Sequence, residues 1–165
     1  MACATGHCCF WGFAGALRRS ELVGVDRSHL HFIRKGVKVF LPWPWTGTGE
    51  TIGIPHGSHS ETCPVLALRA WLELLPAGDG PVFRPFDRWG HVRQTGLTDG
   101  WVAKVVKRYV ESIGLDPEQF AGHSLRAGLI LSAAVGGATE RSIMKQTRHR
   151  SAYASAGTFA MLTCR

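Results

Sequence analysis

The chain has 165 residues, of which 45% are hydrophobic and 19% are charged. This is the length of one domain with enough apolar side chains for a core, so the composition argues against a second full-sized domain and against general disorder. The formal net charge is +7 with neutral histidines, and no apolar run approaches the roughly 20 residues of a bilayer-spanning helix.

The first part of the chain predicts a helix followed by a small sheet. Apolar residues near helical spacing predict a helix over residues 12–25, broken at Gly15. Residues 2–11 fit neither a good helix nor a good loop. Short β-type runs at 30–33 and 37–41 are joined by an Arg-Lys-Gly turn, which predicts a hairpin, and residues 51–54 add a third strand.

The rest of the chain predicts four helices, at residues 62–75, 98–113, 124–135 and 139–146. Thr62 is the expected N-cap of the first, with Pro64 in its first turn, and Gly114 closes the second. The third helix is mostly apolar and is expected to be largely buried. The predicted fold class is therefore α+β, mainly helical, with a small antiparallel sheet at one edge.

Positive charge is concentrated toward the C-terminus. Residues 101–165 contain nine basic and four acidic residues, a balance of +5, whereas residues 1–100 contain ten and eight, a balance of +2. Residues 141–150 contain four Lys or Arg, one His and no acid. Such a density attracts a polyanion, and nucleic acid is the first expected partner, with a merely solvated basic face as the alternative.

The cysteines indicate neither a metal site nor a disulfide framework. There are five of them, an odd number, without paired C-x-x-C spacing. The N-terminus also lacks the charged and apolar regions of a secretory signal. We therefore expect no metal, a reducing environment and a cytoplasmic location.

Two separated segments carry a family resemblance. Residues 15–22 read GALRRSEL and residues 121–128 read AGHSLRAG, and together they resemble the tyrosine recombinase (phage integrase) family. Its first motif is matched by Arg18, Ser20 and Glu21, and its His-x-x-Arg motif by His123 and Arg126. The resemblance covers most of residues 12–151, although a lone His-x-x-Arg would be a weak signal.

The resemblance continues to a basic turn at residues 147–151, where His149 matches a further catalytic histidine. It implies that Arg18 and Arg126 clamp a DNA phosphate, that His123 hydrogen-bonds it or handles a proton, and that His149 donates to a nonbridging oxygen. Glu21 is expected to orient neighbouring groups. For His123 the ordinary alternative is a satisfied core histidine.

The resemblance also implies partners and a reaction. The expected contacts to double-stranded DNA outside the catalytic set come from Lys145, Arg148 and Arg150. A tyrosine hydroxyl attacks the phosphodiester in this family, so strand breakage and rejoining need no metal and no small-molecule cofactor. The resemblance also implies that several copies assemble on DNA and that the chain originates in a phage or other mobile element.

The sequence departs from the family at its nucleophile and at its hairpin lysine. The family places its tyrosine roughly nine residues beyond the last His, where this chain has Thr158, and the nearest tyrosine is Tyr153. Residues 39–50 contain no lysine that could protonate the leaving oxygen, and Lys38 is a weak substitute. A Pro-Trp-Pro-Trp run, starting at Pro42, stands there instead and either packs on the domain or stacks on bases.

The expected organisation is one integrase-like catalytic domain over residues 12–165, without the N-terminal core-binding domain of the family. Both ends read as products of a damaged gene, a hypothesis that the other reading frames of its DNA would test. The functional prediction is a DNA-binding recombinase domain that is catalytically defective. The alternative is a basic helical DNA-binding or interaction domain without recombinase ancestry.

Overall fold

The computed structural model describes residues 3–43 and 48–148. Three strands form one sheet: β1 (Leu30–Ile33), β2 (Gly36–Pro42) and β3 (Gly49–Pro55). The described residues also form three short 3₁₀ turns and six α-helices: α1 (Cys3–Ala14), α2 (Arg19–Val23), α3 (Pro64–Leu74), α4 (Asp99–Ser112), α5 (Ser124–Val135) and α6 (Glu140–Thr147). The predicted fold class, mainly helical with a small antiparallel sheet, is confirmed.

The first helix begins earlier than the sequence indicated. Residues 2–11 were expected to form no regular helix, but α1 starts at Cys3 and contains Trp11, which is fully buried. Contacts of α1 with α3, α4 and α5 explain the difference, because tertiary packing stabilises a helix that its own weak periodicity does not predict. The predicted break at Gly15 is confirmed, since α1 ends at Ala14 and α2 starts at Arg19.

The sheet has the order β1-β2-β3 with both pairs antiparallel. Alternate residues of β2, including Val37 and Val39, are buried, so one face of the sheet packs on the core. The predicted turn before β2 depends on Gly36, whose φ is +151°. A Cβ atom at this position would lie 2.2 Å from the Ile54 carbonyl oxygen, which only glycine avoids.

Two buried tryptophans join the helical layer to the loops. The Trp11 indole N–H donates to the Pro64 carbonyl at 2.8 Å, and the Trp71 indole N–H donates to the Val82 carbonyl at 2.7 Å. The Trp11 ring also lies 6.2 Å from the Phe83 ring, centroid to centroid. These bonds satisfy the polar edges of two large apolar side chains inside the core.

The start of α3 differs from the prediction in one residue. Residues Ser60–Thr62 form a separate 3₁₀ turn, so the N-cap of α3 is Cys63 and not Thr62. Pro64 occupies the first turn as predicted. Proline suits that position because its missing N–H has no partner within a helix.

Helix α5 has the predicted bounds but is not largely buried. Its buried residues are Arg126 and Ile130, whereas Leu131 is 38% exposed and Val135 is 81% exposed. The expectation was wrong because apolar content alone does not say how many faces of a helix are covered. The main packing partners of α5 in the described part of the chain are α1 and α6.

Within residues 3–43 and 48–148, no helix has both the length and the apolar character that crossing a membrane requires.

Two leucines of α3 test the position of the core. Leu68 is fully buried and Leu74 is 59% exposed. We expect Leu68→Ala to lower the free energy of unfolding by about 2–5 kcal/mol, because it leaves a cavity. Leu74→Ala is the matched control and is expected to change it by about 0.5 kcal/mol or less. Urea unfolding measures both, and equal losses would contradict the assigned core.

Candidate active site

The side chain of Arg126 joins three parts of the chain. It is only 8% exposed and projects from the first turn of α5. One guanidinium nitrogen donates to the Ala16 carbonyl at 2.7 Å, and the other terminal nitrogen donates to the Thr147 carbonyl. The start of α5, the junction between α1 and α2, and the end of α6 therefore meet at one side chain.

The backbone is left-handed at two residues beside this guanidinium. Ala16 has a φ of 48° and Arg148 a φ of 57°, a region that residues with a Cβ atom seldom adopt. The Ala16 carbonyl receives the bond from Arg126, and Arg148 ends α6 directly after Thr147. The two left-handed residues are therefore at, or next to, the two residues whose carbonyl oxygens accept hydrogen bonds from Arg126.

Glu21 holds two further arginines. One of its carboxylate oxygens lies 2.6 Å from a guanidinium nitrogen of Arg18, and the other lies 2.5 Å from a guanidinium nitrogen of Arg148. The Arg18 backbone N–H also donates to the carboxylate at 2.7 Å, which caps the start of α2. The Glu21 carboxylate therefore contacts both Arg18 and Arg148.

A cleft of about 210 Å³ brings the described candidate residues together. Arg18, His123 and Arg126 all line it, although the first and last are 108 positions apart. The remaining lining residues are Leu17, Arg19, Ser20 and Asp99. His123 is the exposed N-cap of α5, so the alternative of a buried core histidine is excluded.

The charges of the cleft act on each other. Burial and the positive charges of Arg18 and Arg148 lower the pKa of Arg126 to about 10, while Glu21 opposes this shift. Burial alone would raise the pKa of Glu21, but the Arg18 amide and the guanidiniums of Arg148 and Arg18 hold it below its usual range. An anion in the cleft would relieve the repulsion among the three arginines.

The three expected DNA-contacting residues have different positions. Lys145 is exposed on α6. The side chain of Arg148 is only 6% exposed, and its guanidinium forms an ion pair with Glu21 beside the cleft instead of facing solvent. Arg150 lies outside the described residues, as do the candidate catalytic His149 and the candidate relocated nucleophile Tyr153.

Sequence reasoning missed parts of the cleft that depend on the backbone. The Ala16 carbonyl has no side-chain signature, and the position of Asp99 follows only from the packing of α4 against α2. Arg19 is exposed and also lines the cleft. Arg19 lies within the GALRRSEL motif, and this position in the sequence could have indicated that it belongs to the cleft.

The region of the missing hairpin lysine is partly described. Lys38 is exposed on β2, where it pairs with His31 on one side and Gly53 on the other. Trp43 is 43% exposed, and its backbone N–H donates to the Thr48 carbonyl at 2.8 Å. Residues 44–47 lie outside the described residues.

Among the residues that the structure describes, no group of three or more His, Cys, Asp or Glu side chains is placed to hold a metal ion.

The chain is similar in sequence to one curated protein and similar in fold to several solved structures. It is 46% identical over 145 residues to an integrase/recombinase xerD homolog of Selenomonas ruminantium, with 86% of this chain and 42% of that protein covered. The chain thus spans less than half the length of this relative. No protein-family model matches the chain.

The structural neighbours have low sequence identity and show the fold. A XerH site-specific recombinase bound to its difH substrate, in a pre-cleavage complex, has a TM-score of 0.71 at 16% identity, covering 94% of this chain and 42% of that one. A lambda integrase dimer bound to a COC′ core site has a TM-score of 0.67 at 16% identity, covering 94% and 52% respectively.

Replacement of Glu21 by Gln tests the charge balance of the site. We expect Glu21→Gln to destabilise the fold at neutral pH by roughly 2–4 kcal/mol, because it leaves the buried Arg148 charge without its carboxylate. A carboxylate with a depressed pKa stabilises the fold fully above its ordinary value of 4.5, and this contribution is lost as the pH falls through the lower folded-state pKa. The difference from the parent chain should therefore shrink in acid.

Urea unfolding at a series of pH values measures this difference. Glu118→Gln is the matched control, because Glu118 is 80% exposed and pairs with Lys107 at the surface. We expect the control to change the unfolding free energy by about 0–1 kcal/mol at neutral pH. A Glu21→Gln effect that is the same at every pH would contradict the assigned role of the carboxylate.

Proposed function

We propose, from the premise that this chain belongs to the tyrosine recombinase family, that it is the DNA-binding catalytic domain of a site-specific recombinase. In this proposal the domain predicted over residues 12–165 also includes the whole of α1, whose Trp11 is buried in the core. The cleft beside Arg126 holds a phosphodiester of double-stranded DNA. The family relationship argues against the alternative of an unrelated basic helical domain. The solved neighbours include a XerH site-specific recombinase bound to difH substrate and a lambda integrase dimer bound to a COC′ core site, which supports DNA as the partner.

The buried guanidinium of Arg126 is the observation that carries the proposal. Its two terminal nitrogens are held by backbone carbonyls, and among the described residues no carboxylate lies within 4.0 Å of it. A fixed cation that has no carboxylate in direct contact and shares a cleft with Arg18 and His123 is suited to bind an anion. A phosphodiester has the charge and the acceptor oxygens to do so.

Each residue of the cleft has a distinct role in this proposal. Arg18 and Arg126 contact the nonbridging oxygens, where charge accumulates in the transition state of phosphoryl transfer. His123 is exposed at the start of α5 and donates a hydrogen bond to the same phosphate or moves a proton. Glu21 and Arg148 are positioning residues, because they hold Arg18 and the end of α6. His149 completes the set by resemblance.

The chain has no tyrosine at the position where the family has its nucleophile. The chain has two tyrosines, and Tyr109 is half-buried on α4 against the core. Only Tyr153 remains, four residues after His149, whereas the family position is occupied by Thr158. An aliphatic hydroxyl is a much poorer nucleophile and leaving group than a phenol, whose pKa is roughly 10. We therefore infer a recombinase domain that binds DNA and does not cleave it.

DNA binding itself is tested by Arg18→Ala. Arg18 is 53% exposed, so its loss should leave the fold intact. We expect about a three- to tenfold loss of affinity on unrelated duplex sequences, and a salt slope smaller by about 0.9, because one phosphate contact disappears. Fluorescence anisotropy at several salt concentrations measures both quantities.

Lys107→Ala is the matched control for this titration, because the Lys107 ammonium already pairs with Glu118 at 2.8 Å. Its affinity should stay near that of the parent chain. Arg126→Lys, which keeps the charge but loses the planar fork, should weaken binding as well. Binding that ignores salt, or an Arg18→Ala chain that binds as well as the parent, would contradict a phosphate in the cleft.

Strand cleavage is tested with a nicked suicide-substrate duplex. We expect no protein–DNA adduct to survive denaturing electrophoresis, because no tyrosine stands at the family position. An adduct that forms with the parent chain and disappears in Tyr153→Phe would contradict inactivity and identify Tyr153 as a relocated nucleophile. Tyr109→Phe is the control, and it should behave as the parent chain does in either case.

A further inference from the structure

A short β-hairpin stands apart from the cleft, between α3 and α4. Phe86 and Val92 form an antiparallel bridge, and the Asp87 N–H donates to the His91 carbonyl at 2.9 Å. The Asp87 carboxylate accepts the backbone N–H of Trp89 at 2.8 Å and that of His91 at 2.9 Å. The tip of this hairpin, residues 86–92, is thus held in one conformation.

The base of the hairpin is anchored in the core. The Phe86 ring meets the fully buried Trp71 ring edge-on, with centroids 5.8 Å apart. Beside it Arg84 is only 3% exposed, and its guanidinium donates to the Pro81 carbonyl at 2.8 Å and to the Gln94 side chain at 3.0 Å. A rigid base keeps the tip at a constant position relative to the domain.

The tip presents an indole and positive charge to solvent. Trp89 is 67% exposed, and the Arg88 guanidinium stacks over its ring at 4.0 Å from the centroid. Arg93, just after the hairpin, is also exposed. The hairpin's acidic residue, Asp87, is only 17% exposed and is occupied by the turn. The outward surface therefore combines cations and an aromatic ring without an exposed carboxylate.

We propose that hairpin 86–92 and the adjoining Arg93 form a second DNA contact, outside the cleft. Arg88 and Arg93 bind backbone phosphates, and the Trp89 indole packs against the deoxyribose between them. The stacking of Arg88 on Trp89 restricts the long arginine side chain before binding, so less conformational entropy is lost in the complex. This inference rests on the proposed function, which supplies the polyanion.

The distance to the cleft fits this arrangement. Asp99 lines the cleft and is ten residues after Trp89 at the hairpin tip. At no more than about 3.6 Å per residue, the tip lies within roughly 36 Å of Asp99. That upper limit corresponds to about ten base pairs at 3.4 Å each. A duplex seated on the cleft is therefore long enough to reach the hairpin.

Salt-dependent anisotropy titrations of the full chain with a duplex of about 30 base pairs test the proposal. We expect Arg88→Ala and Arg93→Ala each to reduce the salt slope by about 0.9, because each removes one phosphate contact. Trp89→Ala should weaken binding about five- to tenfold with an unchanged slope, as expected for loss of an uncharged apolar contact. Arg88→Lys should restore the slope that Arg88→Ala loses.

Ile113→Ala is the control, because Ile113 is 70% exposed at the end of α4 and should change neither quantity. Near-ultraviolet circular dichroism and thermal melts verify that every variant is folded. If the parent chain binds with a strong salt dependence and the hairpin variants bind identically, the hairpin proposal is wrong and the proposed function stands. If the parent chain does not bind duplex DNA, both are wrong.

A labelled poly-glutamate probe distinguishes an acidic protein partner. We expect weak binding of this probe, with no dependence on Trp89. Tight poly-glutamate binding that is lost in Trp89→Ala, together with unchanged DNA binding, would overturn the proposal in favour of an acidic peptide surface.

Discussion

The buried positive charge of Arg126 is the constraint on which the rest of the site depends. A guanidinium removed from water needs acceptors, and the chain supplies the carbonyls of Ala16 and Thr147. Helix α1 ends before the left-handed Ala16, and α6 ends at Thr147, before the left-handed Arg148. These helix ends direct the two carbonyl oxygens toward the guanidinium. The breaks between helices are thus part of the architecture of the cleft.

Glu21 forms ion pairs with two of the arginines around Arg126. It pairs with Arg148, whose side chain is buried like that of Arg126, and with Arg18. Glu21 and Asp99 are outnumbered by the guanidiniums at the cleft, which are those of Arg18, Arg19, Arg126 and Arg148, so this region stays positive while its arginines approach each other. A carboxylate in contact with Arg126 would stabilise the empty cleft and weaken its attraction for an anion.

Local patterns predicted much of the fold, and long-range contacts account for the remainder. The Arg-Lys-Gly turn predicted the first hairpin, and the apolar run with its glycine stop predicted the bounds of α5. The covered faces could not be predicted: the exposure of Val135 depends on which helices pack against α5. The motifs indicated Arg18, His123 and Arg126, whereas the pairing of Glu21 with Arg148, 127 residues away, follows only from the tertiary fold.

Under the proposed function, phosphate binding and strand cleavage depend on different parts of this chain. The proposed phosphate clamp is built from Arg18, His123 and Arg126, whose positions are set by the core and by backbone carbonyls. The attacking hydroxyl must come from another part of the chain, and it contributes nothing to holding these three side chains. Substitutions at the nucleophile position therefore leave the electrostatic reason for binding DNA intact, because the buried charge of Arg126 still lacks a carboxylate partner among the described residues. Under the proposed function, loss of the nucleophile therefore removes strand cleavage and leaves DNA binding in place.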